Sequence, residues 1–405
     1  MTGMLKRAKR LMRVVKLFSP SKKPETSSTH FSSSHACHSH HRLITVGYSH
    51  YCEKARFALS LSSLREDFIE EQHLPVFHVP FTLDLRKARR YPETPKQYHA
   101  YDYLKITENN KKEKLSAKEL TGVPKLCMNV HINKDDDNDN SVNRESTNAT
   151  LQSPVVVANG SDGIMRYLYH HDVACKHFYP TNIKEEVEEL ESYLNTKLGP
   201  AATDWAFSKM LITSSNPPER NAQSQDYFLS ELTRLDSKKN SLLETLLFKV
   251  FGKSTFFPLM IENNGVNEEN GKLAKDMITD VFDKIDTILS DRQSVSTCTS
   301  TYVTSNSSSD HMKENFRYLF GTVKPTAADI TLATLATPIL LLDATKDNFP
   351  TADSMMSYIK QHSTSRNYLA KCEGMIEMVN FAAEMRLTRT GRYLCCKFMW
   401  TEHNF

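Results

Sequence analysis

Apolar and polar positions alternate clearly enough to outline the first half of the chain. Leu43-Ile44-Thr45-Val46 is a short apolar, β-branched run and predicts a strand. A helix start follows. Ser49 offers an N-cap, Glu53 and Lys54 fall in the first turns, and Phe57 and Leu61 repeat at i and i+4. A second extended stretch is expected near 67–69, and 73–120 reads as loop, rich in His, Pro, Tyr and Lys. Val123 to Met128 predicts a short strand behind a proline, and Pro154 to Ala158 predicts another. Asn159-Gly160 is a turn signal, after which Ser161 is expected to cap a helix carrying Ile164, Tyr167 and Leu168. With the loops at about 85–120 and 130–152 set aside, the order is β-α-β followed by β-β-α.

Beyond Pro180 the pattern turns helical. Residues 185–198 have acids in the first turns and apolar Val187, Leu190, Leu194 and Leu198, with Gly199 expected as the stop. Leu273, Met277, Val281, Ile285, Ile288 and Leu289 predict another apolar face. The Ser/Thr-rich stretch 294–309 reads as an exposed loop. Pro325-Thr326-Ala327-Ala328-Asp329 then opens an apolar helix through Leu342, with Thr326 as cap and Asp329 placed for a capping box.

At 405 residues the chain is long enough for two domains with extensions. Its formal net charge of +3 gives no global argument for nucleic acid as a partner. No apolar run approaches the ~20 residues of a membrane-spanning helix; the longest, 330–342, contains Pro338. The eight cysteines are scattered without a CxxC pair, as expected of reduced thiols in a reducing compartment. Residues 1–42 interleave Lys6, Arg7, Lys9, Arg10, Arg13 and Lys16 with apolar positions and hold no acid before Glu25. That composition suits a mitochondrial or plastid transit peptide, or equally a disordered basic tail on a cytoplasmic protein. His35, Cys37, His38, His40 and His41 crowd the end of this segment without the spacing of a closed metal site. Asp135, Asp136, Asp137 and Asp139 lack the glycine turn and terminal Glu of an EF-hand, so they read as a solvated loop and no metal is expected. The basic, aromatic segment 386–405 is expected to pack back through Leu394, Phe398 and Met399.

The chemistry concentrates at Ser49-His50-Tyr51-Cys52. A hydroxyl and a thiol three residues apart at the positive end of a helix suit the holding of a thiolate. Either Ser49 is the polar partner of a bound thiolate, or Cys52 supplies a thiol itself; Tyr48 is an adjacent rival hydroxyl. Ser49 can also be an N-cap alone, and Cys52 a small buried residue. Lys54 and Arg56 read as solvated or salt-bridged helix residues, and His73 and His78 as loop histidines near a pocket.

Several of these residues resemble the cytosolic glutathione transferases. Ser49-x-x-Cys52 is similar to the active-site turn of their serine- and cysteine-type classes. Val123-Pro124 resembles the Val-Pro pair before their third strand, where the proline is cis. Ser161 with Ile164 and Tyr167-Leu168 resembles their serine-led helix. Thr326-x-x-Asp329-Ile330 matches the box in the core of their helical domain. The run Ser49 to Arg56, with His73-Leu74-Pro75 and Phe77-His78 after it, is most similar to a bacterial-type subgroup.

The resemblance covers about 43–390. It implies an α/β plus all-α architecture: a thioredoxin-like domain over 43–178, an all-helical domain over 183–390, and a tail at 391–405. It also implies glutathione as co-substrate, a small electrophile between the domains, and a homodimer. Ser49 or Tyr48 would face the thiolate, and the Val123 backbone before Pro124 would pair with the tripeptide. Ser161 would bind the γ-glutamyl carboxylate. Gly160 stands where the family carries an acid, and Asp162 lies two positions on. Thiol transfer through Cys52, and a non-catalytic binding or scaffold role on the same fold, are the alternatives.

Overall fold

The computed structural model describes residues 41–46, 49–66, 68–74, 123–128, 155–211, 242–251, 257–258, 261, 265–292, 318–341 and 373–398. Tyr48, His78, most of the basic N-terminal segment, both insertions and the 294–309 stretch lie outside the described residues.

Strands β1 (His41–Val46), β2 (Phe68–His73), β3 (Lys125–Met128) and β4 (Val155–Asn159) form one mixed sheet in the order β2-β1-β3-β4. β1 runs parallel to β2 and antiparallel to β3, and β3 runs antiparallel to β4. Helix α1 (His50–Ser60) makes the β1-to-β2 crossover, and α2 (Gly160–His171) follows β4. Two strands are longer than their apolar patterns. In β1, Arg42 pairs with Glu71 across the strands and the His41 ring lies 3.4 Å from the Tyr167 hydroxyl. β2 runs on to His73 because partners on other elements neutralise its charged side chains.

The rest is helical: α3 (Lys184–Leu211), α4 (Leu242–Phe251), α5 (Glu268–Arg292), α6 (Ala327–Leu340), α7 (Glu373–Leu387) and α8 (Arg389–Phe398). A single buried cluster runs from Leu43, Ala55 and Leu59 through Leu168 and Leu194 to Ile285, Leu335 and Leu394. α1 packs on both α2 and α6, and α3 packs on α5 and α6. The sheet and the helices therefore share one core. Among the described residues no helix is long and apolar enough to cross a membrane.

Four expectations need correction. Gly199 does not stop α3, which continues through Pro200 to Leu211 because Ala202, Trp205, Ala206 and Leu211 extend its buried face. The apolar face of α5 differs at its start: Val281, Ile285 and Leu289 are buried as expected and Met277 and Ile288 pack partly buried against the core, but Leu273 is exposed and Ala274, Ile278 and Phe282 are buried as well. Ser161 is not the cap of α2. Asn159 holds that position without a side-chain cap bond, and Ser161 lies buried in the first turn. α8 crosses the boundary drawn at 391, since Tyr393 and Leu394 belong to the shared core.

Candidate functional site

Strand register gathers the predicted site residues at one end of the sheet. β1 ends at Val46 and leads to Ser49. Ile44 pairs with Lys125, so Val123-Pro124 lies beside that same end, and Lys125 pairs with Asn159, so α2 starts there too. Val46 pairs with His73, which brings the end of β2 alongside. The Val123-Pro124 bond is cis, and the Gly160 amide donates to the Pro124 carbonyl at 2.9 Å. Gly160 has φ +74°, a left-handed turn that favours glycine, and the space above its α-carbon is open.

Ser49 is the N-cap of α1, its Oγ accepting the Cys52 amide at 3.4 Å. The first intrahelical bond is Glu53 N–H to Ser49 C=O, so the amides of His50 and Tyr51 precede the helix ladder. Cys52 is fully buried, with the Val46 amide 3.5 Å from its sulfur. Burial pushes its thiol up, against the opposing pull of that amide and of Arg56. Burial also pushes the Cys127 thiol up, to about 12, and raises that of Cys175. Burial thus favours the neutral thiol at Cys52.

α1 and the first turn of α2 are joined by an ion network centred on a buried lysine. Lys54 is fully buried. Its Nζ donates to Asp162 Oδ1 at 2.5 Å and to Glu191 Oε1 at 2.8 Å, with Asn195 Oδ1 at 3.4 Å. Tyr179 donates to the other Glu191 oxygen at 2.7 Å, and Asn195 donates to Asp162 Oδ1 at 3.0 Å. Of the solvated and salt-bridged readings of Lys54, the salt-bridged one holds, with the side chain fully desolvated. Arg56 is also buried and holds α1 to the sheet through Glu70 of β2 at 2.6 Å and Thr45 of β1 at 3.1 Å.

His73 joins the sheet end to α4. Its Nδ1 lies 3.0 Å from Glu244 and its Nε2 3.2 Å from Glu71, while the Leu74 amide donates to Glu244. Burial would lower the imidazole pKa, but the carboxylates of Glu244 and Glu71 overcome this and push it up to about 9. An unfolded His titrates near ~6.5. The imidazolium therefore stabilises the fold fully below that pH, and the contribution is lost as pH rises through about 9. Urea midpoints measured across this window should fall by the equivalent of about 2 kcal/mol. His73→Gln should flatten that slope; an equal slope in the variant would refute the assignment.

The structure thus brings Ser49, Cys52, Val123, Pro124, Ser161 and Asp162 to one end of the sheet. Among the described residues no group of three His, Cys, Asp or Glu side chains is placed to hold a metal. Sequence reasoning missed Glu191, Asn195 and Tyr179 as partners of the site, and gave His50 and Tyr51 no role. One signal was available for Lys54: it sits with Ala55 and Ala58 on the inward face of α1, a charge on an apolar stripe. No protein-family model matches the chain, and a search of curated proteins finds no match.

Proposed function

We propose that this chain is a glutathione transferase-like protein, with a thioredoxin-like sheet unit that binds glutathione and a helical unit that completes the electrophile pocket. The observation that carries the reading is the convergence of the Ser49 turn, cis Val123-Pro124 and the α2 N-terminus at one end of the sheet. Each feature fits one part of the tripeptide. Uncapped first-turn amides of α2 beside Ser161 suit the γ-glutamyl carboxylate. The paired ladder of β3 starts at Lys125, so the Val123 backbone lies beyond it and can pair with a peptide backbone. Asp162 is half-exposed and takes Lys54 and Asn195 on Oδ1, which leaves Oδ2 for the ligand's α-amino group in place of the acid that Gly160 does not supply.

The chemistry follows from the α1 terminus. The thiol releases its proton to solvent, and the helix end and the Ser49 O–H hold the resulting anion. Sulfur then donates its electron pair to the electrophilic carbon, and the leaving group departs with the bonding pair as the C–S bond forms. The protein's part is to bind, orient and stabilise the nucleophile. Thiol transfer through Cys52 is the weaker alternative, because that sulfur is buried and its pKa raised.

Calorimetric titration with millimolar glutathione, and turnover of a chlorinated nitroaromatic, test the reading. Ser49→Ala should lower kcat/KM by about 10²-fold and stability by about 1 kcal/mol through the lost cap. Cys52→Ala should leave conjugation within a few-fold. Absence of glutathione binding would leave the non-catalytic binding or scaffold reading in its place. Reduction of a disulfide substrate by glutathione that is lost in Cys52→Ala and kept in Ser49→Ala would favour thiol transfer.

A further inference from the structure

The two oxygens of Asp162 are used unequally. Oδ1 takes Lys54 Nζ at 2.5 Å and Asn195 Nδ2 at 3.0 Å, whereas Oδ2 takes no bond from the described residues and the side chain is half-exposed. Asn195 is held in one orientation. Its Oδ1 receives Lys54 Nζ at 3.4 Å, so the carbonyl end turns to the cation and the amide end to the carboxylate. Glu191, Asn195 and Gly199 follow one another at i, i+4 and i+8 on α3 and form the stripe that meets α1. The first two reach Lys54, and the third leaves room for the Tyr51 hydroxyl. The network is also out of balance, since Lys54 faces two carboxylates. Glu191 is engaged on both oxygens inside, by Lys54 and Tyr179, and the nearby Arg166 is paired with Glu188. The excess negative charge therefore reaches the surface at Asp162, and a carboxylate oxygen in that state suits a cation. Among the described residues no third carboxylate or imidazole is grouped with it as a metal ion would require, so an organic ammonium is the fitting cation.

We propose that Asn195, a residue of the helical unit, is the positioning residue that aims Asp162 Oδ2 at the α-ammonium of a γ-glutamyl group, and that it thereby restricts the site to thiols carrying a free ammonium there; this rests on the glutathione reading above. Lys54 alone leaves the carboxylate free to turn, because an ammonium is a point charge with rotatable donors. The Asn195 amide adds a donor of fixed direction, so that Oδ1 is held from two sides and Oδ2 keeps one heading. No bond is made or broken at Asp162. Its part is recognition, and the part of Asn195 is to make that recognition sharp from the opposite half of the molecule.

The test compares two ligands on the full chain by calorimetry and turnover: glutathione, and glutaryl-cysteinyl-glycine, the same tripeptide without its α-amino group. The unchanged protein should bind glutathione about thirtyfold more tightly than the analogue. Asn195→Ala should raise the glutathione Kd and KM about fivefold, with kcat unchanged and the analogue shifted less than about twofold. Asp162→Asn should abolish the preference, and the double variant should bind glutathione no more weakly than Asp162→Asn alone. The readout is a ratio between ligands on one preparation, so a general loss of stability does not imitate it. Equal losses for both ligands in Asn195→Ala would make it a residue of the fold only, and additive losses in the double variant would mean that it does not act through Asp162. Either result overturns the role of Asn195, as does an unchanged protein that binds both ligands equally well. Absence of glutathione binding to the unchanged protein overturns this inference together with the reading beneath it.

Discussion

Asp329→Ala should be the most damaging single substitution in the helical half, lowering stability by roughly 4 kcal/mol. The carboxylate is completely buried and accepts four hydrogen bonds. They come from the Leu319 amide at 2.9 Å, the Thr326 amide at 2.8 Å, the Thr326 hydroxyl at 2.6 Å and the Tyr393 hydroxyl at 2.5 Å. Burial raises its pKa while those donors pull the other way. Alanine removes the acceptor and strands several donors where water cannot reach them, and it also dissolves the capping box of α6. Thr326→Ala, which removes only the cap hydroxyl, should cost about 1 kcal/mol. Urea unfolding followed by circular dichroism gives both values. A loss below that of Thr326→Ala would mean that Asp329 does not organise this junction.

The second large effect is expected at Lys54. Lys54→Met leaves Glu191 buried with Tyr179 as its remaining partner, and breaking a buried pair from one side costs about 3–5 kcal/mol. Asp162 is half-exposed and can be solvated in the variant, so Glu191 dominates the loss. Pairing Lys54→Met with Glu191→Leu should return a good part of the stability, because removing both charges leaves no uncompensated ion. A double variant as unstable as the sum of the two singles would show that the charges act independently. Glutathione binding is also expected to weaken in Lys54→Met, since Asp162 loses the contact that sets its orientation.

The features legible in the sequence were those with short-range causes. Ser49 as a cap, Pro124 before a strand, the Asn159-Gly160 turn and the Thr326/Asp329 box each announce themselves within a few residues, and each lies where that local chemistry places it. What was missed depends on partners far along the chain. β2 carries Glu70 and Glu71, which break apolar alternation. They are tolerated because Arg56 and Thr45 meet one and Arg42 and His73 meet the other. α3 passes Gly199-Pro200, the expected stop, because tertiary burial of its second half outweighs local propensity. The partners of Lys54 lie more than a hundred residues away, so no periodicity argument could pair them. In the candidate site the positions were readable while the wiring between them was not.

The pairing of Lys54 with Glu191 also bears on modularity. A βαβ–ββα unit followed by a helical bundle looks like two exchangeable parts joined by a short connector. Here a buried cation of α1 sits on one part and its buried counter-ion on the other. Tyr51 is likewise seated against a glycine of the second part. Neither part can be traded for a relative's counterpart without also trading that charge pair and that contact. Variation in the helical half, where the electrophile would be chosen, is therefore constrained at Glu191 and Gly199 by the needs of the sheet half.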